Sequence, residues 1–169
     1  MKNTRKTKKF VKVVASAMLA LLMLVAACSC SSKDAWPVDK ETGLTELLIG
    51  GIGPTTGDNA NYGNSVKNGA KLAVDEINAA GGVNGFKLVL NFQDSQSSPE
   101  SAVSAYGKLM DLGMKVSIGC TLSGENASVV AAAKNDDIFL LSPSASSVSA
   151  IAGNDKAFRV CFSDPSQGT

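Results

Sequence analysis

Residues 47–92 read LLIGGIGPTTGDNANYGNSVKNGAKLAVDEINAAGGVNGFKLVLNF, and this stretch decides the fold class. It opens with the short apolar run 47–52, which ends in a Gly-Pro turn signal and predicts a buried strand. Residues 61–80 then place apolar side chains at helical spacing, and two glycines stop the helix. A second short apolar run follows at 88–92. This order of strand, helix and strand predicts a βαβ unit.

The alternation of strands and helices continues along the rest of the chain. An alanine- and valine-rich helix is predicted at 125–134, and a short helical stretch follows residue 147. Another helix starts near Pro99, where Ser97 and Glu100 have the spacing of a capping box. The predicted strands are 47–52, 88–92, 116–118, 138–141 and 158–162. Such an alternation is typical of an α/β fold with a parallel sheet covered by helices on both faces.

The beginning of the chain has the pattern of an export signal. All six charged residues among the first 12 are basic, and residues 13–27 form an apolar run that only Ser16 interrupts. Small residues then lead into a cysteine at 25–28, Val-Ala-Ala-Cys. A basic start, a short apolar core and a small-residue cleavage site are typical of a secretory signal. The apolar run is shorter than the roughly 20 residues that a membrane-spanning helix needs.

The four residues at 25–28 resemble the lipobox of bacterial lipoproteins, which implies cleavage before Cys28 and diacylation of its sulfur. We therefore expect a lipoprotein signal peptide at 1–27, a lipidated flexible tether at 28–43 and a folded lobe at 44–169. The expected location is the cell envelope, with the protein lipid-anchored on the extracytoplasmic face of the membrane. The alternatives are an ordinary signal peptide that precedes a cysteine by coincidence, and an uncleaved membrane anchor.

The composition argues against several classes of function. The chain has 16 Lys plus Arg, 15 Asp plus Glu and no His. Six basic and no acidic residues precede Cys28, which leaves ten basic against fifteen acidic residues, a net charge of −5. Nucleic acid and anionic lipid are therefore poor candidates as partners, and no His-based triad can form. Cys30, Cys120 and Cys161 form no CxxC pair, so we expect no metal site.

Hydroxyl groups collect where the predicted strands end. Ligands of open parallel sheets bind beyond the carboxyl ends of the strands, where the strand order reverses. The four loops there, 53–62, 94–98, 119–124 and 142–147, contain many serines and threonines but neither lysine nor arginine. Hydroxyls beside the positive end of a helix suit a small neutral or zwitterionic ligand better than phosphate. The alternative is that these serines serve only as helix caps and turn residues.

A series of motifs resembles one family of solute-binding proteins. The most specific motif lies at 76–85 and reads Glu-Ile-Asn-Ala-Ala-Gly-Gly-Val-Asn-Gly. The motif Ile-Gly-Pro comes before it, at 52–54. Leu-Ser-Pro-Ser-Ala follows at 141–145, and Phe-Arg at 158–159. From about residue 44 onward, the chain resembles the amino-terminal lobe of the branched-chain amino acid (Leu/Ile/Val) binding proteins. These are type I periplasmic, or solute-binding, proteins of ABC transporters.

The resemblance carries expectations about the fold. We predict a three-layer lobe with an open five-stranded parallel sheet of order 2-1-3-4-5. In that order Cys120 and Cys161 end strands that are two steps, about 9.6 Å, apart, which is too far for a disulfide. Some family members join two cleft loops by a disulfide, but the corresponding positions here are Ser97 and Leu122. The family's second lobe is absent, and residues 164–168 are turn-like, so we expect a fragment truncated at its C-terminus.

In that family two lobes close on the ligand, and the first lobe holds the α-carboxylate and α-ammonium groups of an amino acid. By the resemblance, Ser123 binds the carboxylate, the Ser144 carbonyl binds the ammonium group, and Ser146 bridges both. Tyr62 lines the side-chain pocket. The implied protein is a monomeric binding protein and not an enzyme. It uses no cofactor, captures amino acids, branched-chain ones foremost, and delivers them to the permease subunits of an ABC importer.

Three other functions are alternatives to this one. A type I receptor for amides, urea or short peptides has the same scaffold, because the second lobe often sets specificity. A sensor module that serves a membrane kinase is a further alternative, against which the expected lipid anchor argues. An exported serine hydrolase needs a G-x-S-x-G elbow and a histidine, and the sequence has neither.

Overall fold

The computed structural model describes residues 36–168. The predicted signal peptide at 1–27, the predicted lipidation site Cys28 and residues 29–35 of the predicted tether lie outside the described residues. The strands are β1 (Thr45–Gly53), β2 (Phe86–Asp94), β3 (Val116–Cys120), β4 (Phe139–Ser142) and β5 (Ala157–Arg159). The α-helices are α1 (Ala60–Ala79), α2 (Pro99–Asp111) and α3 (Ser123–Ala132). Shorter 3₁₀ helices span Ala133–Asn135, Val148–Ile151 and Asp164–Gly168.

The five strands form one parallel sheet in the order β2-β1-β3-β4-β5, which confirms the predicted fold class and strand order. The last strand is shorter than predicted. It ends at Arg159 because β4 ends at Ser142, whose carbonyl accepts a last hydrogen bond from the Val160 N–H (3.1 Å). Cys120, at the end of β3, and Cys161 are both free thiols.

The core lies between one face of the sheet and the helices α2 and α3. In-register neighbours on β3, β4 and β5, Ser117, Leu140 and Ala157, are all buried on this face. The helices contribute a continuous apolar surface, in which each fully buried valine or leucine side chain contributes about 1.5–3 kcal/mol. The core side chains of α2 and α3 include Ala102, Ala105, Tyr106, Leu109, Val129 and Val130.

The N-terminus of α2 differs by one residue from the predicted capping box. Ser98, not Ser97, is the N-cap, and its Oγ accepts a hydrogen bond from the Ser101 N–H (3.2 Å). Pro99 occupies the first helical position. Proline is favourable there because the N–H at this position has no partner within the helix, so its absence costs nothing. Ser97 has a positive φ of 59° and accepts a hydrogen bond from the Asn59 side chain (3.1 Å). The residue predicted as a cap therefore ties the loop after β2 to the loop after β1.

Helix α1 is held to β2, an edge strand of the sheet, by one side chain. Asn78 accepts a hydrogen bond from the Leu88 N–H and donates one to the Leu88 carbonyl (both 2.8 Å). The Asn78 amide thus forms hydrogen bonds with two backbone groups on the outer side of β2, where no neighbouring strand is present to do so. This gives a physical reason for the asparagine of the 76–85 motif. No helix within residues 36–168 combines the length and the apolar character needed to cross a bilayer.

Residues 36–43, the end of the predicted tether, contact the folded unit. The Trp36 ring lies 5.1 Å from the Phe86 ring, and the Lys115 ammonium group lies 5.5 Å from the Trp36 ring centroid. Asp39 forms an ion pair with Lys87 of β2 (2.6 Å). The compact unit accordingly begins at Trp36. Sequence patterning alone could not reveal these contacts, because their partners lie about 50 or more residues further along the chain.

Candidate ligand-binding site at the strand ends

The loops that follow β1, β2, β3 and β4 lie at the carboxyl end of the sheet, as in every open parallel sheet. Hydrogen bonds join them in pairs. The Thr55 N–H donates to Asp94 (2.8 Å) and links the loops after β1 and β2. The Ser144 hydroxyl donates to the Thr121 carbonyl (2.7 Å) and links the loops after β3 and β4. The hydroxyl-bearing loops therefore form connected parts of one surface.

The N-terminus of α3 lies in this surface and has no side-chain cap. Its N-cap residue is Leu122, which cannot accept a hydrogen bond through its side chain, and Ser123 is the first helical residue. The first N–H groups of a helix have no intrahelical partner and carry the positive end of the helix dipole. At α2, in contrast, Ser98 supplies the cap. An uncapped helix end of this kind can bind a carboxylate without a formal counter-charge.

The loop after β4 packs against this helix end. The Ser147 N–H donates to the Ser123 Oγ (3.2 Å), although 24 residues separate the two. In the same loop Ser144 is exposed and Ser146 is half-buried. The structure therefore brings three of the four predicted site residues, Ser123, Ser144 and Ser146, onto two hydrogen-bonded segments.

Tyr62, the fourth predicted site residue, lies in the first turn of α1. Its side chain is largely exposed, with 58% of the residue accessible. The neighbouring Gly63 lets α1 start close to β1, because a Cβ there would lie 1.8 Å from the Pro54 carbonyl oxygen. Within residues 36–168 no hydrogen bond joins Tyr62 to the three serines. Tyr62 thus lies at the same end of the sheet as the three serines but forms no hydrogen bond with them.

Arg159 is a site-supporting residue that the sequence analysis missed. Its Nη1 donates to the carbonyls of Ser146 (2.8 Å) and Ser147 (2.7 Å), and more weakly to that of Ala145 (3.4 Å). The loops themselves contain no lysine or arginine, but this guanidinium reaches one of them from β5. The register of the sheet, which pairs Ser142 with Arg159, explains the approach. We call residues 142–147, which start at the last residue of β4, the serine loop. In the sequence, the feature that could have indicated this role is a cationic residue on the strand that follows the serine loop.

Buried polar side chains fix the backbone beneath these loops. Asn126 accepts a hydrogen bond from the Cys120 N–H (2.9 Å) and donates one to the Ala150 carbonyl (2.7 Å). Ser142 donates to the Cys120 carbonyl (3.0 Å). Gly119 has a φ of 61°, and a Cβ there would lie 2.9 Å from the Asn126 Oδ1. Only glycine fits this position without strain, so β3 ends in a defined geometry that sets where α3 begins.

Glu125, in the first turn of α3, is the one acidic side chain buried in the core of this region among the described residues. Only 2% of the residue is accessible. Its Oε1 accepts a hydrogen bond from the Ser95 hydroxyl (2.6 Å), and its Oε2 has no hydrogen-bond partner within residues 36–168. Burial raises the pKa of the Glu125 carboxyl, and the charge of Asp94 adds to this, while the Ser95 hydroxyl and the Leu122 amide oppose it.

Within residues 36–168 no group of three or more histidine, cysteine, aspartate or glutamate side chains could hold a metal ion. The polar groups at the ends of β3 and β4 are hydroxyls and backbone amides, which suit recognition of a small organic ligand.

Comparison with known proteins agrees with this geometry. The sequence model of the family described as periplasmic binding protein matches residues 46–169. The Leu/Ile/Val-binding protein homolog 3 of Brucella melitensis is 35% identical over 123 residues, which cover 72% of this chain and 33% of that protein. An amino acid binding protein of Pseudomonas aeruginosa is 33% identical over 129 residues, covering 74% of this chain and 34% of its own length. The chain spans about a third of the length of the curated relatives it matches.

Solved structures give the same result. The branched-chain amino acid transporter substrate-binding protein LivJ of Streptococcus pneumoniae, in complex with isoleucine, superposes with a TM-score of 0.67. It is 35% identical, and the match covers 71% of this chain and 35% of that one. A solute-binding protein of an ABC transporter from Rhodopseudomonas palustris, in complex with 3,4-dihydroxybenzoic acid, has a TM-score of 0.63, and the match covers 70% of this chain and 32% of that one. It is only 18% identical, so it shows the fold alone.

These matches concern binding proteins of ABC transporters and not enzymes. They agree with the resemblance found in the sequence and with a type I lobe built on a parallel sheet of order β2-β1-β3-β4-β5. The partial coverage of each relative corresponds to one lobe. The chain belongs to the periplasmic binding protein family.

Proposed function

We propose that residues 44–169 form the ligand-binding N-terminal lobe of an extracytoplasmic solute-binding lipoprotein that captures amino acids for an ABC importer. Branched-chain amino acids are the proposed ligands. The observation that carries the proposal is the uncapped N-terminus of α3, with Ser123 at its first position and the serine loop after β4 against it. Relatives named for leucine, isoleucine and valine binding support the ligand class.

The proposed roles follow from the charge distribution of an amino acid. The α-carboxylate binds at the positive helix end, through the Ser123 hydroxyl and N–H group. The α-ammonium group binds the Ser144 backbone carbonyl, and the Ser146 hydroxyl bridges both groups. Tyr62 lines the pocket for the ligand side chain, which suits its exposed position on α1. Arg159 holds the serine loop by its carbonyls and does not itself contact the ligand.

The proposal extends to how the protein is anchored. Residues 1–27 are the proposed lipoprotein signal peptide, Cys28 the lipidated residue and 28–43 the tether, whose last part contacts the lobe. The pattern of residues 1–28 and the extracytoplasmic location of periplasmic binding proteins support an envelope location. The proposed partners are the ligand, the lipid membrane and the permease subunits of the importer, and the proposed binding protein is a monomer.

Calorimetry on the protein expressed from its complete gene tests the ligand class. Leucine, isoleucine and valine are titrated beside other amino acids, amides, urea and short peptides. We expect binding of the branched-chain amino acids, and Ser123→Ala costs about 1–3 kcal/mol because it leaves a carboxylate oxygen unpaired. Ser128→Ala, on the same helix but away from its first turn, is the matched control with unchanged affinity.

The outcomes separate the alternatives. Unchanged affinity in Ser123→Ala would remove this residue from the site. Binding confined to amides, urea or peptides would replace the proposed ligand class while keeping the lobe. Binding without any association with the permease subunits would favour a sensor module.

Anchoring is tested separately at Cys28. Wild-type protein is expected in the membrane fraction with its lipid on Cys28, and Cys28→Ala is expected to appear in the medium or the periplasm. Cys30→Ala is the matched control and stays in the membrane fraction. A Cys28→Ala protein that remains membrane-bound at full length would show an uncleaved anchor instead of a lipoprotein.

A further inference from the structure

The buried hydrogen bond between Ser95 and Glu125 joins the loop after β2 to the first turn of α3, at the border of the proposed site. Ser95 directly follows β2 and is completely buried, and Glu125 lies two residues after Ser123 in the first turn of α3. The Ser95 hydroxyl donates to Glu125 Oε1 at 2.6 Å, across 30 residues of sequence. Because hydrogen bonds in a dry environment are strong and their loss leaves a buried polar group unpaired, this contact restricts where the first turn of α3 can lie.

Among residues 36–168, no cationic side chain interacts with Glu125 in a way that would stabilise its charge. The titratable groups that interact with it are Asp94, at the end of β2, and the buried Cys120 thiol, at the end of β3. Both would carry negative charge if ionised. None of the ion pairs within residues 36–168 includes Glu125. A carboxyl group buried without a counter-ion favours its neutral form.

We propose that Glu125 is a positioning residue of the ligand site, which holds the first turn of α3 through its buried hydrogen bond with Ser95 and so keeps that turn receptive to the ligand carboxylate. This inference rests on the proposed function. An ionised Glu125 would place a second negative charge in the same helix turn as the bound carboxylate. The two charges would compete for the same helix end, so ligand affinity falls as Glu125 loses its proton.

Three substitutions separate positioning from charge. Glu125→Gln keeps the oxygen that accepts from Ser95, keeps the size of the side chain and removes the titration. Glu125→Ala and Ser95→Ala remove the bond. The matched control is Glu100→Gln. Glu100 also lies in the first turn of a helix, α2, and also accepts a hydrogen bond from a serine hydroxyl (Ser98, 2.8 Å), but unlike Glu125 it is exposed.

The ligand-dependent arm measures leucine affinity by calorimetry from about pH 5 to about pH 8, above the usual pKa of glutamate. Wild-type and Glu100→Gln proteins are expected to lose about fivefold or more in affinity as the pH rises, a typical coupling between two sites. Glu125→Gln keeps the high affinity throughout and loses the pH dependence. Glu125→Ala binds about tenfold more weakly at all pH values. Identical pH profiles for wild type and Glu125→Gln would overturn the proposal.

The ligand-independent arm measures backbone amide hydrogen exchange in the free protein. Faster exchange is expected at the start of α3 in Ser95→Ala and Glu125→Ala, and wild-type rates in Glu125→Gln. Unchanged rates in both alanine variants would overturn the positioning role. If no amino acid binds the wild-type protein but both alanine variants exchange faster, the proposed ligand class is wrong while the positioning role of the Ser95–Glu125 bond is retained. Failure of the proposed function and failure of this inference are therefore distinguishable.

Discussion

Asp94, the last residue of β2, accepts two hydrogen bonds from the loop after β1 and one from the loop after β2. It accepts from the Thr56 hydroxyl (2.6 Å) and from the N–H groups of Thr55 (2.8 Å) and Gln96 (2.9 Å). Burial opposes its ionisation, but these donors outweigh it and lower the pKa of Asp94 from 3.8 to about 2. The stabilisation from its charge is therefore complete above about pH 3.8 and is lost as the pH falls through about 2.

Replacing this aspartate tests the role of its charge. Asp94→Asn should lower the free energy of unfolding by about 1–2 kcal/mol at neutral pH, since charge-assisted bonds contribute about 1.5–3 kcal/mol when shielded and less when partly exposed. The difference from wild type should shrink towards pH 2 in urea unfolding curves. Asp58→Asn, an exposed change in the loop after β1 that Asp94 contacts, is the control with little effect. A deficit that is independent of pH would show that the charge of Asp94 is not responsible.

At the scale of single elements, the accuracy of sequence-based prediction depends on the range of the interactions. Strand and helix order follows from short-range apolar spacing, and the sheet has the expected order β2-β1-β3-β4-β5. The cap at Ser98 instead of Ser97 depends on where Pro99 starts the helix, a difference of one residue that spacing cannot resolve. The reach of Arg159 into the serine loop depends on register between β4 and β5, which exists only in the folded sheet.

The contact between α1 and β2 gives a prediction for this pair of elements. Asn78→Ala removes both hydrogen bonds to Leu88 and leaves two backbone groups of the edge strand unpaired. We expect the free energy of unfolding to fall by about 1–3 kcal/mol in urea denaturation. Asn68→Ala, at an exposed position of α1, should change it by less than about 0.5 kcal/mol. Equal stability of the two variants would contradict the role assigned to Asn78.

For the lobe of residues 36–168 as a whole, the two faces of the sheet differ in how well they are covered. Helices α2 and α3 cover the face on which Leu140 is buried. On the opposite face, Phe139 of β4 and Phe158 of β5 stack with ring centroids 5.3 Å apart. Both remain exposed, at 45% and 47% of the residue surface, and Val116 is the in-register neighbour of Phe139. Exposed aromatic side chains next to each other on a sheet favour association.

This face predicts how residues 36–169 behave when expressed alone. We expect concentration-dependent self-association in size-exclusion chromatography with light scattering, and binding of a hydrophobic dye, because the stacked phenylalanines bury apolar area only in a dimer or a larger assembly. The double variant Phe139→Ser and Phe158→Ser should elute as a monomer with reduced dye binding. The control, Leu72→Ser, removes a similarly exposed apolar side chain from α1 and should leave association unchanged. If the wild-type lobe stays monomeric at all concentrations, or the control abolishes association equally, this sheet face is not the one responsible.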